Sequence, residues 1–427
     1  MATIDNGAVR SALERDDPDA LSRLLEDVDA RAELNNGWFG LSQPPLTAAR
    51  STAVVDVLIE LGADPALVGE WWGAGFGLRG VDPAVAAALV ARGAKLTPHA
   101  AAGLGLEAHL GEMLGREPAL VGAAGGDGGH PLHFARTPEI ARLLLEKGAA
   151  VDARDDDHRS TPAQWLIGDA PDVVATLLAA GAEDDIFLAA AMGSCERVER
   201  LIDENASCTA HRIGYNDGPF PGIGFEGRGG TILQWTLGFN ASPHEIALRR
   251  GHREVFDLLL ARTARRPRLL VACMVGDEAM AHELAAEDPE LIATLAADDR
   301  QLLAKACWET NRNFDAVRIM LALGFPVDVP EPNHFYSPLH NAAFDGNTPL
   351  VKLLLEYDPP VDLVAPEYRS TPLGGCIWAA TEGRCADRDY AGVVDSLLEA
   401  GATLPVESYP TGHEHIDAVL RRHGYGS

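Results

Sequence analysis

The residues best able to do chemistry in this chain are scattered along it. His413-Glu414-His415 offers two imidazoles that could begin a metal clamp, but no third ligand follows at metal-site spacing. A polar start to a terminal cap is the plainer reading. Asp155-Asp156-Asp157 lacks the glycine and distal glutamate of a calcium loop and reads as the tip of a turn. Gly222-Ile223-Gly224 does not follow a strand in a βαβ unit, so it is a poor dinucleotide site. The sequence contains no G-x-x-x-x-G-K-[ST], no G-x-S-x-G and no H-E-x-x-H. Its cysteines, at 195, 208, 273, 307, 376 and 385, form no C-x-x-C pair and are too sparse for a disulfide scaffold. Free, mostly buried thiols in a reducing compartment are expected, with no metal and no cofactor.

Charge narrows the partners. The 427 residues carry 63 carboxylates against 35 Lys and Arg, a formal charge of −28. Such a chain is poorly suited to releasing counterions from nucleic-acid phosphate or to sitting on an anionic membrane. The clusters Arg249, Arg250, His252, Arg253 and Arg262, Arg265, Arg266, Arg268 read as solvated helix faces. The start, Met1-Ala2-Thr3-Ile4-Asp5, has neither a basic nor an apolar leader region. The longest apolar runs, such as 84–91, are too short to cross a bilayer. A cytoplasmic protein with protein, peptide or small-molecule partners is expected, binding neither nucleic acid nor membrane.

The elements that must position any site come from a repeat. An apolar doublet followed by two residues and glycine recurs as Leu58-Ile59…Gly62, Leu89-Val90…Gly93, Leu144-Leu145…Gly148 and Leu177-Leu178…Gly181. It returns as Met320-Leu321…Gly324 and Leu397-Leu398…Gly401. Neighbouring glycines stand 31 residues apart at 62 and 93, and 33 apart at 148 and 181. This is the end of an amphipathic helix closed by a left-handed cap, with Asn205 and Asp358 taking the slot where glycine is missing. A second phrase opens helix pairs: Ser337-Pro338-Leu339-His340-Asn341-Ala342-Ala343, His130-Pro131-Leu132-His133, Thr161-Pro162 and Thr371-Pro372-Leu373. Pro44-Pro45-Leu46-Thr47-Ala48-Ala49 is another copy and Thr231-Ile232-Leu233 a weaker one. A hydroxyl before proline caps a helix whose first turn tolerates the ring.

Together the two phrases resemble the ankyrin repeat, T-P-L-H-x-A-A with a second helix ending L-L-x-x-G-A-D. The C-terminal stretch from Pro372 to Gly401 is similar to the final repeat of bacterial multi-repeat ankyrin proteins. The resemblance implies an all-α solenoid of about twelve helix pairs, with His133 and His340 bracing their turns. The expected division is a capping helix pair at 1–35, repeats at 36–208, a Gly/aromatic insertion at 209–230, repeats at 231–405 and a cap at 406–427. Helix pairs at 186–205 and 269–288 follow without room for a β-turn finger, and 380–390 lengthens one turn.

The resemblance also implies a concave binding face built from finger tips and first helices, so the outward positions after each Ala-Ala pair matter most. In later repeats these are Phe239, Trp308 and Glu309, Phe344 and Asp345, and Trp378. Large rings recur there although only 6% of the chain is aromatic; they either pack against the following repeat and fill irregular gaps, or line a groove for a ligand or peptide. The leading expectation is a scaffold that holds a protein or peptide partner on this aromatic stripe. The alternative is an unusual small-molecule enzyme, with Glu309 and Asp345 as acid and base beneath a lid formed by 209–230. A closed pocket under that segment would favour the enzyme, and an open groove the scaffold.

Overall fold

The computed structural model describes residues 6–25, 34–35, 45–65, 82–215, 218–308, 313–331, 336–382, 388–405 and 408–426. The described residues are helical and contain no strand; one isolated antiparallel bridge joins Ala365 to Ser370. None of their helices is long and apolar enough to cross a membrane. The chain divides into two compact units, one of residues 1–188 and 228–236, the other of residues 189–227 and 237–427.

In the first unit short helices alternate with longer ones. Pro98–Gly103 pairs with Glu107–Arg116, the turn Pro131–Phe134 with Pro138–Glu146, and Pro162–Leu166 with Pro171–Ala179. Each short element packs on the next short one and each long helix on the next long one. The hydroxyls read as caps do cap: the Thr97 and Thr161 side chains accept from the backbone N–H three residues on. Gln164 completes a capping box by accepting from the Thr161 N–H at 3.1 Å.

The second unit repeats the plan. Leu302–Cys307 pairs with Phe314–Ala322, Pro338–Phe344 with Thr348–Leu355, and Pro372–Thr381 with Tyr390–Glu399, and Glu414–Arg422 closes the outer layer. Leu339, Leu350, Leu354, Leu373, Val393 and Leu397 are fully or almost fully buried in one continuous core. Gly324 and Gly401 end their helices with φ of 86° and 90°, and Asp358 takes the same region at 52°. Asn205 does not. It is extended at φ −152°, and its side chain accepts from the Ser207 N–H to start a 3-10 turn, so no left-handed cap is needed. The described cysteines are unbridged, all but Cys195 buried, and burial pushes the Cys273 thiol up to about 12.

His340 braces its turn. Its Nδ1 accepts from the Ser337 N–H at 3.3 Å and faces the Ser337 hydroxyl at 2.8 Å, while Nε2 donates to the Ser370 carbonyl at 3.1 Å. The imidazole thereby ties one repeat to the next. Replacing His340 with glutamine is expected to cost about 1 kcal/mol, as for a typical lost hydrogen bond. Urea denaturation checks this, and a variant of unchanged stability would contradict it.

The start of the 209–230 insertion is built into the second unit's interior. Arg212, Ile213 and Tyr215 are buried. Arg212 donates to Glu245 at 2.9 Å and to the Asn240 carbonyl at 2.8 Å, and the Lys305 ammonium stands 3.7 Å from the Tyr215 ring centre. Its last residues belong to the first unit, where Gly229 donates to Asp157 at 3.0 Å and His158 Nδ1 donates to the Gly230 carbonyl at 2.8 Å.

Candidate binding site

Stacking places the ends of successive first helices side by side. The Leu302–Cys307 helix terminates at Trp308, whose N–H donates to the Lys305 carbonyl at 3.3 Å. The Pro338–Phe344 helix ends in Phe344, with Asp345 as its C-cap, and the Pro372–Thr381 helix carries Trp378 one repeat later. These four residues line one cavity of about 710 Å³, within the range that holds a drug-sized molecule or part of a peptide. Finger residues Tyr336 and Tyr368 complete an aromatic wall.

The rings support one another. Phe344 stacks on Trp378 with centroids 5.9 Å apart and planes 19° from parallel. Tyr336 stacks on His340 at 5.3 Å and meets Phe344 at 6.1 Å and Tyr368 at 5.8 Å. Such pairs hold ring orientation as well as adding stability. Yet Trp378 keeps 48% and Tyr368 54% of its surface exposed. Asp345 is nearly buried among them, and the Arg388 Nη2 stands 3.9 Å from its Oδ1.

The floor is unusual for a helix. Where His340 follows Pro338-Leu339 in one repeat, Gly374 follows Pro372-Leu373 in the next, and Gly375 comes after it. Both line the cavity inside a helix. Glycine in a helix interior costs roughly 1 kcal/mol relative to alanine. A Cβ on Gly375 would meet the Ser370 Oγ at 3.6 Å and the Phe344 Cδ2 at 3.8 Å, ordinary contact distances. Packing therefore does not demand glycine there. Gly375→Ala is expected to raise stability by about 0.5–1 kcal/mol, read as a higher urea midpoint.

Trp308, Phe344, Asp345 and Trp378 are thus brought together as the spacing predicts. Phe239 is in the same unit, half-buried in a turn between Gly238 and Asn240, and is not among the cavity walls. Glu309 and residues 383–387 of the lengthened turn lie outside the described residues. Among the described residues the cavity walls come from 308–408, and none from the 209–230 insertion. His413 and His415 approach to 6.1 Å between ring centroids, but the described residues form no group of three metal ligands.

The match to known families follows this geometry. Family models described as ankyrin repeat match residues 127–156 and residues 334–363, one segment in each unit. The chain carries ankyrin repeats. The second matched repeat carries Tyr336, Phe344 and Asp345 of the cavity. Among solved structures the chain is similar to the human ASB11 ankyrin repeat domain at 19% sequence identity, over 73% of this chain and 100% of that one, with a TM-score of 0.27. Comparison with curated proteins finds no match.

Proposed function

We propose that this ankyrin-repeat protein is a binding scaffold that holds a protein or peptide partner on the aromatic face of its C-terminal repeats. The observation that carries the reading is the single cavity into which Trp308, Phe344 and Trp378 converge from three successive repeats. Rings that gain nothing from facing water contribute most when a partner covers them. Ankyrin repeats generally mediate protein–protein binding, which supports the class of partner. The alternative, a small-molecule enzyme with Glu309 and Asp345 as acid and base, would place a lid over this cavity, and the described residues of the insertion are not among its walls.

Selection of a random peptide library displayed on phage against the whole purified chain tests the proposal, with Trp378→Ala as the counter-target. Enrichment of sequences that bind the wild type and not the variant is the expected result. Enrichment of none would overturn it.

A further inference from the structure

Resting on that scaffold reading, we propose that the cavity receives a proline-rich segment of the partner, extended as a polyproline II helix across the rings. Four rings form an unbroken run. Tyr368 meets Tyr336 at 5.8 Å, Tyr336 meets Phe344 at 6.1 Å, and Phe344 stacks on Trp378 at 5.9 Å. Trp308 joins them in the wall. Aromatic-lined grooves suit polyproline II segments, which are stiff before they bind and lose little chain entropy on docking. The 710 Å³ of the cavity exceeds what one side chain fills, so a run of residues is the fitting occupant.

The polar groups of the wall decide the class of peptide, because they are engaged within the chain. The Ser370 hydroxyl donates to the Thr371 carbonyl at 3.1 Å, and the Thr371 hydroxyl accepts from the Gly374 N–H at 3.1 Å. The Thr403 hydroxyl donates to Asp362 at 2.8 Å, and the Asn341 amide donates to the Ala304 carbonyl at 3.0 Å. The Ser370 carbonyl accepts from both His340 and Ala365, and Asp345 faces the Arg388 guanidinium at 3.9 Å. An ordinary extended peptide laid here would strand backbone N–H groups against rings and saturated partners, which is costly. Proline has no N–H to strand. Its carbonyls turn to the water that reaches Trp378 and Tyr368.

Charge and shape agree. The described walls carry one cation, Arg369, and one carboxylate, Asp345, so the face is neutral and complements an uncharged strand. Gly374 and Gly375 leave the helix bare where the imidazole of His340 stands one repeat earlier. A ligand backbone approaches glycine more closely than any other residue. The pair is then kept for the fit of the strand, at a cost in helix stability.

Blocked hexaproline and blocked hexaalanine, which restores the N–H groups, test the inference. Each is titrated into the whole chain with tryptophan fluorescence as the readout. Hexaproline should bind at least tenfold tighter, and its affinity should change less than twofold between low and high salt, since neither surface carries net charge. Trp378→Ala should weaken it roughly 30-fold. Tyr368→Ala, which removes a half-exposed ring, should weaken it too and covers the case in which Trp378→Ala fails to fold. Equal affinity for the two peptides, or a steep loss of hexaproline affinity with salt, would overturn the proline assignment and leave the scaffold standing. Binding of neither peptide, while display still enriches Trp378-dependent sequences without proline, would overturn the assignment alone. Failure of both the titration and the display would overturn both.

Discussion

Truncating Trp378 to alanine is expected to weaken partner binding by about 2 kcal/mol or more, roughly 30-fold, while lowering stability less than removal of a core ring would. The two effects separate because of where the ring stands. A buried Phe or Trp replaced by alanine costs about 3–5 kcal/mol. Trp378 is 48% exposed and stacks on Phe344. A stacked aromatic pair is worth about 0.5–1.5 kcal/mol beyond area burial, and the covered half of the ring adds about 1 kcal/mol, so a stability loss of about 2 kcal/mol is expected. Trp308 is half-buried and makes a less clean test, because its truncation removes packing as well as contact surface. Affinity for a display-selected peptide and the urea midpoint, measured on one preparation of Trp378→Ala, check both halves. A stability loss of core size with unchanged affinity would make the ring a packing residue.

The helix pairs were legible in the sequence because their signals are local. A hydroxyl before proline, a 3.6-residue apolar stripe and a left-handed glycine each act within one turn, and the caps at Thr161, Ser337 and Thr371 form as read. Asn205 broke the pattern because its side chain found the Ser207 N–H, a competing local bond that serves an extended cap equally well. The site was legible where the rings sit at the same register of successive helices, as Trp308, Phe344 and Trp378 do. Tyr336 and Tyr368 were not legible. They lie in fingers, outside any helical period, and only the stacking of repeats brings them within 5.8 Å of one another. The glycine pair carried a readable sign, the loss of the signature histidine after Pro372-Leu373. Phe239 has the right residue type, but its turn lies off the cavity.

Acid is expected to destabilise the first unit well before its carboxylates are protonated, with His133 as a main cause. The imidazole is 1% exposed; it accepts from the His130 N–H at 2.9 Å and donates to the Ser160 carbonyl at 3.3 Å. Burial pushes its pKa down to about 4 from the ordinary 6.5, against the pull of Asp155 and the Ser160 carbonyl. The sign follows from proton counting. Below pH 6.5 the unfolded chain takes up a proton that the folded chain refuses, so stability is full above 6.5 and falls as pH drops toward about 4. At about 1.4 kcal/mol for each pH step between those two values, this one group removes about 2–3 kcal/mol by pH 4.5. Asp185 works the other way. Burial raises its pKa, so its folded form binds a proton more readily and gains relative stability as pH falls. The two are separated by His133→Gln, which keeps a donor and an acceptor but cannot titrate in this range. At pH 7.5 the variant should be less stable than the wild type by about 1 kcal/mol, the worth of an imperfectly replaced hydrogen bond. By pH 4.5 that deficit should vanish or reverse, because only the wild type bears the protonation penalty. Urea midpoints of the two chains at both pH values decide the matter, and profiles that stay parallel would remove His133 from the account of acid sensitivity.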